Sequence, residues 1–261
     1  MTVRSHRRTR VLLLGGTAEA SALAVRLAGD RRFETVLSLA GRTANPNPVP
    51  VARRIGGFGG VDGLTAYLEK HVVDLLIDAT HPFATQISRH AIAACRAASC
   101  PLLAVERPPW RPQPGDRWTI VATIEAAVAA LKHAPRRVFA GIGRLSLAAL
   151  RAAPQHRYVL RLVDPPSEPL GLPNVTVIVA RGPFAAEDDL RLFRETGVDV
   201  VLSKNSGGTA AVSKIEAART LGLPVIMIDR PAGPVRPTVA TVDAAWEWLE
   251  THQASVAKRG V

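Results

Sequence analysis

Two consecutive glycines follow an early apolar run, in the segment Leu14-Gly15-Gly16-Thr17-Ala18-Glu19-Ala20. Glycine lets the backbone approach phosphate oxygens closely, and a helix N-terminus behind such a turn presents free N–H groups and the positive end of its dipole. Thr17 can cap that helix and donate its hydroxyl. The pattern differs from the G-x-G-x-x-G dinucleotide fingerprint. Two interpretations therefore stay open here: a strand-to-helix turn without a ligand, or a cofactor site made by Gly15, Gly16, Thr17, Ala18 and Glu19.

A second polar segment, Ser38-Leu39-Ala40-Gly41-Arg42-Thr43, ends the next predicted strand. NAD-specific sites usually place a carboxylate near this point for the ribose 2′-hydroxyl, and this segment contains none. It offers a guanidinium flanked by two hydroxyl groups, which suits a 2′-phosphate. We therefore expect NADPH rather than NADH, with an exposed loop arginine as the alternative. The cofactor residues predicted here are Ser38, Gly41, Arg42 and Thr43.

The segment Asp78-Ala79-Thr80-His81-Pro82-Phe83-Ala84 follows a predicted strand and opens a predicted helix, whose first turn suits Pro82. Asp78 can orient Thr80 or His81, and His81 can donate to a substrate carboxylate or to the nicotinamide amide. We expect Thr80, His81 and Phe83 to border the nicotinamide. His81 is also a candidate catalytic acid–base group, although a lone histidine is more often structural or solvated.

Cationic side chains accompany three predicted strand ends in the second half of the chain. They belong to the segments Gly141-Ile142-Gly143-Arg144, Ala180-Arg181-Gly182-Pro183-Phe184 and Ser203-Lys204-Asn205-Ser206-Gly207-Gly208. Ordinary surface charge is the alternative, but cations at equivalent strand ends suit a substrate with several carboxylates. We predict a substrate site made by Arg144, Arg181, Ser203, Lys204, Asn205, Ser206 and Gly207. Lys204 is the candidate proton donor, with solvent as the alternative.

These segments depend on short apolar runs that alternate with amphipathic, alanine-rich stretches, a pattern that predicts βαβ units around parallel sheets. The predicted strands are 11–14, 35–39, 75–78, 102–105, 119–121, 138–140, 158–163, 175–179, 198–202 and 225–228. The predicted helices are 18–28, 61–70, 84–98, 124–132, one from about 145, one from about 187 to 196, 209–221 and 242–251.

A proline-rich stretch separates two halves of this pattern and predicts an extended linker, with a rigid surface loop as the alternative. The segments Gly15-Gly16-Thr17-Ala18 and Gly207-Gly208-Thr209-Ala210 echo each other after predicted strands. We predict an α/β protein with two Rossmann-like, doubly wound parallel-sheet domains and an interdomain cleft that holds the ligands. The predicted parts are a basic N-terminal tail 1–10, a cofactor domain 11–107, the linker 108–117, a second domain 118–251 and a C-terminal tail 252–261.

Composition limits the partners of this chain. The net charge is +11, from 33 basic and 22 acidic residues, and six of the basic residues lie in the two predicted tails. We interpret the tails as solvated rather than as nucleic-acid-binding, because they carry no motif, basic helix or interleaved aromatic residues. The two cysteines, Cys95 and Cys100, do not form a zinc site, so we expect free thiols and no metal. With no run near the ~18 apolar residues of a membrane helix, we expect a cytoplasmic monomer with neither membrane nor nucleic-acid partners.

Together, segments 15–20, 78–84, 182–184 and 203–208 resemble the precorrin-6A reductase family, in an order that extends over residues 11 to about 231. The resemblance implies a reduced nicotinamide cofactor on the N-terminal domain, a tetrapyrrole in the interdomain cleft next to the second domain, and reduction of precorrin-6A to precorrin-6B (dihydroprecorrin-6) in cobalamin biosynthesis. Such an enzyme is an oxidoreductase acting on CH–CH bonds. The alternatives are a cobalt-precorrin-6A reductase using NADH, an NADPH reductase of a smaller substrate, and a non-catalytic nucleotide- or nucleic-acid-binding protein.

Overall fold

A computed structural model of the protein describes residues 7–43 and 46–259, with side chains described as far as residue 253. The strands are β1 (Thr9–Leu14), β2 (Phe33–Leu39), β3 (Ala52–Ile55), β4 (Leu75–Asp78), β5 (Leu102–Val105), β6 (Arg117–Val121), β7 (Arg137–Gly141), β8 (Arg157–Leu162), β9 (Val175–Val179), β10 (Val200–Lys204), β11 (Pro224–Ile228) and β12 (Thr238–Val239). The α-helices are α1 (Ala18–Ala28), α2 (Gly60–Lys70), α3 (Thr85–Ala97), α4 (Ile124–Ala130), α5 (Ala186–Thr196), α6 (Ser213–Thr220) and α7 (Val242–Arg259), and a 3₁₀ helix spans Arg144–Ala152.

The chain divides into two compact units, each with one six-stranded parallel sheet. The first unit comprises Met1–Arg107 and Ala232–Val261, and the second comprises Pro108–Pro231. The sheet orders are β3-β2-β1-β4-β5-β12 and β9-β8-β7-β10-β11-β6. The first sheet has the doubly wound order 3-2-1-4-5-6. Numbered within its own unit, the second sheet has the order 4-3-2-5-6-1, because that unit's first strand, β6, occupies the edge position that β12 takes in the first sheet. The topological switch points lie between β1 and β4 and between β7 and β10. This confirms the predicted fold class of two Rossmann-like parallel sheets.

The central strand of the first sheet is buried on both faces, as its continuous apolar run predicts. Val11 and Leu13 pack on one face, against α1 and α7. Leu12 and Leu14 pack on the other face, against α2 and α3. Because alternate side chains of a strand point to opposite faces, this one run forms the centre of two core layers. It thereby holds the turn at Gly15 at the carboxyl end of the sheet.

The described residues of both predicted tails belong to elements or contacts of the first unit. Arg10 lies in β1, and Arg7 donates to Asp74 at 2.6 Å. Helix α7 continues to Arg259. The predicted tails 1–10 and 252–261 are therefore wrong for residues 9–10 and for 252–259, and Arg4 and residues 260–261 lie outside the described residues.

The predicted second domain, 118–251, is wrong at its C-terminal end. Strand β12 pairs with β5, and helix α7 places Ala245 and Leu249 in the core of the first unit. Trp246 packs edge-on against Phe33 with 5.7 Å between ring centroids. The chain returns to the first unit after β11 because the apolar face of α7 packs in the same core as α1.

Several predicted elements have different bounds in the structure. Strands β3 and β12 were not predicted. The predicted helix 209–221 is shorter, since residues 209–211 form a bend and turn and α6 begins at Ser213. The helix predicted from about 145 is the 3₁₀ helix, and Pro82 lies in a turn before α3 rather than inside it. No helix among the described residues is both long and apolar enough to cross a membrane.

The buried histidine of the second unit should make stability depend on pH. The side chain of His156 is fully buried, and its Nδ1 accepts a hydrogen bond from the N–H of Arg136 at 3.2 Å. Burial lowers the pKa of His156 below its ordinary value of 6.5; a backbone hydrogen bond to Lys132 opposes this shift and the charge of Arg136 adds to it. The folded chain therefore binds a proton at His156 less readily than the unfolded chain does. The stability that neutral His156 contributes is complete above the pKa that this histidine has in the unfolded chain, and it is lost as the pH falls below that value.

We expect the free energy of unfolding to fall between about pH 7.5 and pH 5, with a smaller fall in His156→Asn. Urea unfolding at several pH values measures both slopes. The exposed His133 provides the matched control, since His133→Asn should keep the wild-type slope. Equal slopes for His156→Asn and the wild type would contradict the assignment.

Candidate active site

The turn after β1 requires glycine at both of its first positions, for different reasons. A Cβ on Gly15 would stand 2.5 Å from Cδ1 of Leu37, so the neighbouring strand leaves no space for a side chain. Gly16 has a φ of 118°, which L residues rarely adopt, and a Cβ there would meet nothing within 4 Å. The turn is therefore tightly packed against β2 at Gly15 and open at Gly16, where a ligand could approach the backbone.

The side chain of Thr17 connects this turn to the turn after β4. Its Oγ1 accepts from the N–H of Ala20 at 3.1 Å, as an N-cap, and donates to the carbonyl of Ala79 at 2.8 Å. Thr17 thus caps the helix and donates its hydroxyl, as we predicted, and the single hydroxyl proton is used within the protein. Since the first N–H groups of a helix have no intrahelical acceptor, the backbone around Thr17 and Ala18 carries the anion-binding capacity of this turn.

Glu19, which we predicted at the cofactor, forms an ion pair with Arg107. Its Oε2 lies 2.7 Å from Nη1 of Arg107, and both side chains are mostly buried. This ion pair attaches the last residue of the first unit's N-terminal segment to the first turn of α1. The carboxylate of Glu19 therefore has a partner within the protein.

Removing the Thr17 hydroxyl should weaken the first unit. We expect Thr17→Val to lower the free energy of unfolding by about 1–3 kcal/mol, because it removes an N-cap and a hydrogen bond between two turns. Thr17→Ser keeps the hydroxyl and should stay within about 1 kcal/mol of the wild type. Chemical unfolding followed by circular dichroism measures both, and a valine variant as stable as the serine variant would refute the role of the hydroxyl.

The segment after β2 lies beside the glycine turn, as predicted. The carbonyl of Ser38 accepts from the N–H of Gly15 at 2.9 Å. Gly41 has a φ of 73°, Arg42 is exposed, and Thr43 is half-buried. The hydroxyl of Ser38 accepts from Nη1 of Arg54 at 2.8 Å. Sequence reasoning missed Arg54, one of two consecutive arginines in a short strand that was not predicted.

The segment after β4 is ordered by its buried aspartate. Asp78 is 1% exposed, and its Oδ1 accepts from both the N–H and the hydroxyl of Thr80, at 3.1 and 2.7 Å. Its Oδ2 lies 3.3 Å from Nη2 of Arg236, which reaches this site from the returning C-terminal segment. Asp78 therefore orients Thr80, one of the two roles that we predicted. Arg236 was missed because nothing near it in the sequence marks it as part of the site.

His81 and Phe83 follow directly in the same turn. The Nδ1 of His81 accepts from the N–H of Phe83 at 3.3 Å, and the two rings lie 5.7 Å apart. An accepting Nδ1 places the proton of a neutral imidazole on Nε2. His81 can therefore donate a hydrogen bond through Nε2, and its contact with an amide or a carboxylate stays a prediction.

In the second unit, the loop after β10 is bound to the proline-rich segment. Asn205 is buried, and its side chain bonds both backbone groups of Trp110: Oδ1 accepts from the N–H at 2.8 Å and Nδ2 donates to the carbonyl at 3.1 Å. The indole of Trp110 donates to the carbonyl of Gly208 at 2.7 Å. Residues 108–112 are therefore an ordered strap on this loop, which supports the predicted alternative of a rigid surface loop rather than a linker.

Ser203, Ser206 and Gly207 of this loop are also in contact with other parts of the protein. Ser203 is fully buried and donates to the carbonyl of Lys204 at 3.1 Å. Arg230 donates to the carbonyls of Asn205 and Ser206 at 2.9 and 3.0 Å. A Cβ on Gly207 would stand 2.1 Å from the carbonyl oxygen of Pro108. The hydroxyl of Ser206 also lies 3.5 Å from the carbonyl of Lys204, and the two residues differ from Ser203 and Asn205 in being only partly buried.

The two predicted substrate arginines lie at the ends of other strands. Arg144 begins the 3₁₀ helix after β7, is exposed and donates to Ser167. Arg181 lies after β9, with Nη2 3.9 Å from Oδ1 of Asp164. Since β7, β9 and β10 are parallel strands of one sheet, Arg144, Arg181 and Lys204 lie at its carboxyl edge, as predicted.

Two features beneath this edge were missed by sequence reasoning. Arg161 forms an ion pair with the buried Asp189, and its guanidinium lies 4.1 Å from the ring of Phe184. Lys214 is 5% exposed, donates to the carbonyl of Ala211 at 2.6 Å and lies 4.7 Å from the ring of Trp110. Both are single charges on amphipathic elements, where a sequence pattern predicts solvent-exposed positions.

The predicted echo between Gly15–Ala18 and Gly207–Ala210 does not mark equivalent places in the two sheets. The first follows β1, whereas the second follows β10, which corresponds to β4 in the other sheet. The equivalent of the Gly15 turn is the segment from Gly141 to Arg144 after β7. There, a 3₁₀ helix follows instead of an α-helix.

The described residues contain no group of three or more His, Cys, Asp or Glu side chains that could hold a metal ion. Cys95 and Cys100 are both free and buried. Their mutual hydrogen bond and, next, burial raise the pKa of the Cys95 thiol. A protonated, buried thiol is a poor metal ligand and a poor nucleophile.

Replacing the buried amide of Asn205 should destabilise the second unit. Asn205→Asp keeps an acceptor for the N–H of Trp110 but turns a carboxylate oxygen toward its carbonyl, so we expect a loss of about 1–3 kcal/mol. The exposed Asn174 offers the same chemical change at the surface, and Asn174→Asp should stay near the wild type. Urea unfolding measures both variants. Equal stabilities of the two aspartate variants would show that the strap does not depend on Asn205.

The two sheets, their switch points and the glycine turn define a two-unit Rossmann-like α/β protein. The family model described as precorrin-6x reductase CbiJ/CobK matches residues 10–250. The chain therefore belongs to the precorrin-6x reductase family.

Individual relatives agree with this family. The precorrin-6A reductase of Rhodobacter capsulatus is 54% identical over 253 residues, which cover 97% of this chain and 100% of the relative. A solved structure named CobK precorrin-6A reductase has a TM-score of 0.90 at 54% identity and covers 94% of this chain and 97% of its own. The cobalt-precorrin-6A reductase of Priestia megaterium is 34% identical over 233 residues, which cover 85% of this chain and 90% of the relative.

Proposed function

We propose that this protein is an NADPH-dependent reductase that converts precorrin-6A to precorrin-6B in cobalamin biosynthesis. The observation that carries the proposal is the turn at Gly15 and Gly16, which lies at the switch point of the first sheet and opens into α1. Ligands of doubly wound sheets bind at this point. The substrate follows from the relatives, because the one named for precorrin-6A is 54% identical and the one named for the cobalt form is 34% identical.

The residues of the first unit fit the pyrophosphate of a nicotinamide cofactor. The open space at Gly16 admits a phosphate close to the backbone, two residues before the start of α1. The first N–H groups of a helix have no intrahelical carbonyl partner and favour anions. The equivalent turn of the second unit leads into a 3₁₀ helix, in which the hydrogen-bond geometry is poorer than in an α-helix. These differences favour the first unit as the cofactor-binding unit.

The polar residues after β2 favour NADPH over NADH. In our proposal Ser38, Arg42 and Thr43 bind the 2′-phosphate, since the end of β2 carries no carboxylate that would select a free 2′-hydroxyl. Arg42 is exposed, so its guanidinium is accessible to a ligand. An arginine pairs with phosphate through two parallel hydrogen bonds.

The second unit supplies cations for the carboxylates of the tetrapyrrole. Arg144, Arg181 and Lys204 follow the carboxyl edge of its sheet. Arg230 and Asn205 hold the loop that carries Lys204. A loop fixed in this way loses little conformational entropy when a substrate binds, which is the general advantage of preorganisation.

In the reaction, the bound cofactor would supply a hydride to the conjugated macrocycle. The protein orients the reacting groups and delivers one proton to the adjacent carbon. Thr80, held by Asp78, and His81, donating through Nε2, would border the nicotinamide with Phe83. Lys204 is the proposed proton donor, with solvent as the alternative source. We further propose that the enzyme works as a monomer in the cytoplasm.

The test is NADPH oxidation by the purified protein, followed at 340 nm with and without precorrin-6A. We expect oxidation only with the tetrapyrrole, and much slower oxidation of NADH. Lys204→Ala should lower kcat by about 100-fold or more if Lys204 delivers the proton, since general acid catalysis contributes about 10²–10⁴-fold. Arg89→Ala, an exposed cation on α3, is the control and should keep full turnover.

Different failures of this test have different meanings. Full turnover by Lys204→Ala would make solvent the proton source and leave the reductase intact. Oxidation of NADPH that is independent of precorrin-6A would contradict the proposed substrate. Equal rates with both cofactors would contradict the assignment of Ser38, Arg42 and Thr43.

A further inference from the structure

Arg54 carries a positive charge that no carboxylate of the described chain balances within ion-pair distance. Its Nη1 donates to the hydroxyl of Ser38 at 2.8 Å and to the carbonyl of Gly56 at 3.0 Å, and its Nη2 donates to the carbonyl of Gly57 at 2.9 Å. An arginine has five N–H donors, so Nε–H and one N–H of Nη2 remain for another acceptor. Within the described residues, these two donors have none.

The guanidinium of Arg54 also contacts two aromatic rings. Its Cζ lies 3.7 Å from the ring centroid of Phe58 and 5.3 Å from that of Tyr67. The side chain is only half-buried. The ring contacts and three hydrogen bonds fix its orientation before any ligand arrives, and fixed donors cost less entropy on binding than mobile ones.

The surroundings of Arg54 lie next to the residues proposed for the 2′-phosphate. Ser38 and Arg54 are partners in the parallel pairing of β2 and β3, and the carbonyl of Leu39 accepts from the N–H of Gly56 at 2.9 Å. A Cβ on Gly41 would stand 3.1 Å from Cγ2 of Ile55. The turn that carries Arg42 therefore packs on the end of the strand that carries Arg54.

The hydrogen bond between Arg54 and Ser38 also determines what Ser38 can do. The hydroxyl oxygen already accepts from Arg54, so the hydroxyl proton is left to donate. No acceptor for this proton is found among the residues that the structure describes. An anion beside Ser38 would therefore meet an O–H donor and a guanidinium that are already oriented.

We propose that Arg54 is a specificity-determining residue for the cofactor, which binds the 2′-phosphate together with Ser38 and Arg42. This inference rests on the proposed use of NADPH. A phosphate monoester carries close to two negative charges at neutral pH, and two guanidinium groups balance that charge better than one. Arg54 supplies the oriented donor, and the exposed Arg42 closes on the ligand from the adjacent turn.

A purely structural role is the competing explanation, because Arg54 also holds the glycine-rich turn at Gly56 and Gly57. The two roles differ in the ligands that they affect. A structural role would weaken NADPH and NADH binding equally, whereas a 2′-phosphate contact affects NADPH alone. The ratio of the two dissociation constants therefore separates them.

The experiment measures Kd for NADPH and NADH by isothermal titration calorimetry in the full-length wild type, Arg54→Gln and Arg54→Lys. We expect the Kd of NADPH to rise about tenfold or more in Arg54→Gln, and that of NADH to change by less than about twofold. Arg54→Lys keeps the charge but not the fork, so an intermediate loss is expected. The neighbouring Arg53 is exposed and points to the opposite face of the strand, and Arg53→Gln should leave both constants unchanged.

Thermal unfolding of each variant verifies that it is folded. If Arg54→Gln does not fold, the comparison of the two dissociation constants is made with Arg54→Lys. Adenosine 2′,5′-bisphosphate and 5′-AMP, as competitors, give the same comparison without the nicotinamide. A wild type that prefers NADPH combined with an unchanged cofactor ratio in the Arg54 variants would overturn this proposal alone. A wild type that binds NADH as tightly as NADPH would overturn the proposed cofactor and this inference together.

Discussion

The hydrogen bond from the Thr17 hydroxyl to the carbonyl of Ala79 joins the two turns that meet at the switch point of the first sheet. One side holds Gly15 and Gly16, and the other holds the Asp78 turn with Thr80 and His81. The same hydroxyl caps α1, so the helix that would face a phosphate begins where the two turns are joined. The chemistry proposed for the first unit depends on this constraint, because the turns come from strands that are far apart in the sequence.

The second unit repeats the arrangement of the five other strands, with its first strand β6 at one edge, and fixes the loops at its carboxyl edge by other contacts. Asn205, Arg230 and Trp110 connect the loop after β10 to the proline-rich strap. The ion pair of Arg161 and Asp189 supports the turn around Phe184. The carboxyl edge of the first sheet therefore presents backbone amides, and that of the second sheet presents cationic side chains. This difference suits the proposed reaction between a phosphate-bearing cofactor and a carboxylate-bearing substrate.

Much of this architecture was predictable because its strands are short, continuous apolar runs. Helix α1 and strands β4, β5 and β9 have the predicted bounds. Strand β3 was missed because two arginines interrupt its pattern, and β12 was missed because it has two residues. The return of α7 to the first unit could not be predicted, since local periodicity shows that a helix has an apolar face but not which sheet that face covers.

The loops of the candidate site could be predicted where a motif follows a strand. Charged residues that contact these loops from elsewhere in the chain, outside any motif, could not be predicted. Arg54, Arg236 and Lys214 have no neighbouring pattern, and their roles depend on pairings between distant segments. Conversely, Asn205 and Ser203 lie in a distinctive motif, yet the structure uses their side chains internally. A motif thus marks the loop at an edge of the sheet, while the hydrogen-bond partners decide which of its side chains can meet a ligand.

A crystal structure of the protein grown with NADP⁺ would show which unit binds the cofactor. We expect the pyrophosphate to lie over Gly16, within hydrogen-bond distance of the N–H groups at the start of α1. A cofactor bound instead at the equivalent turn of the second unit, between Gly141 and Arg144, would contradict this expectation.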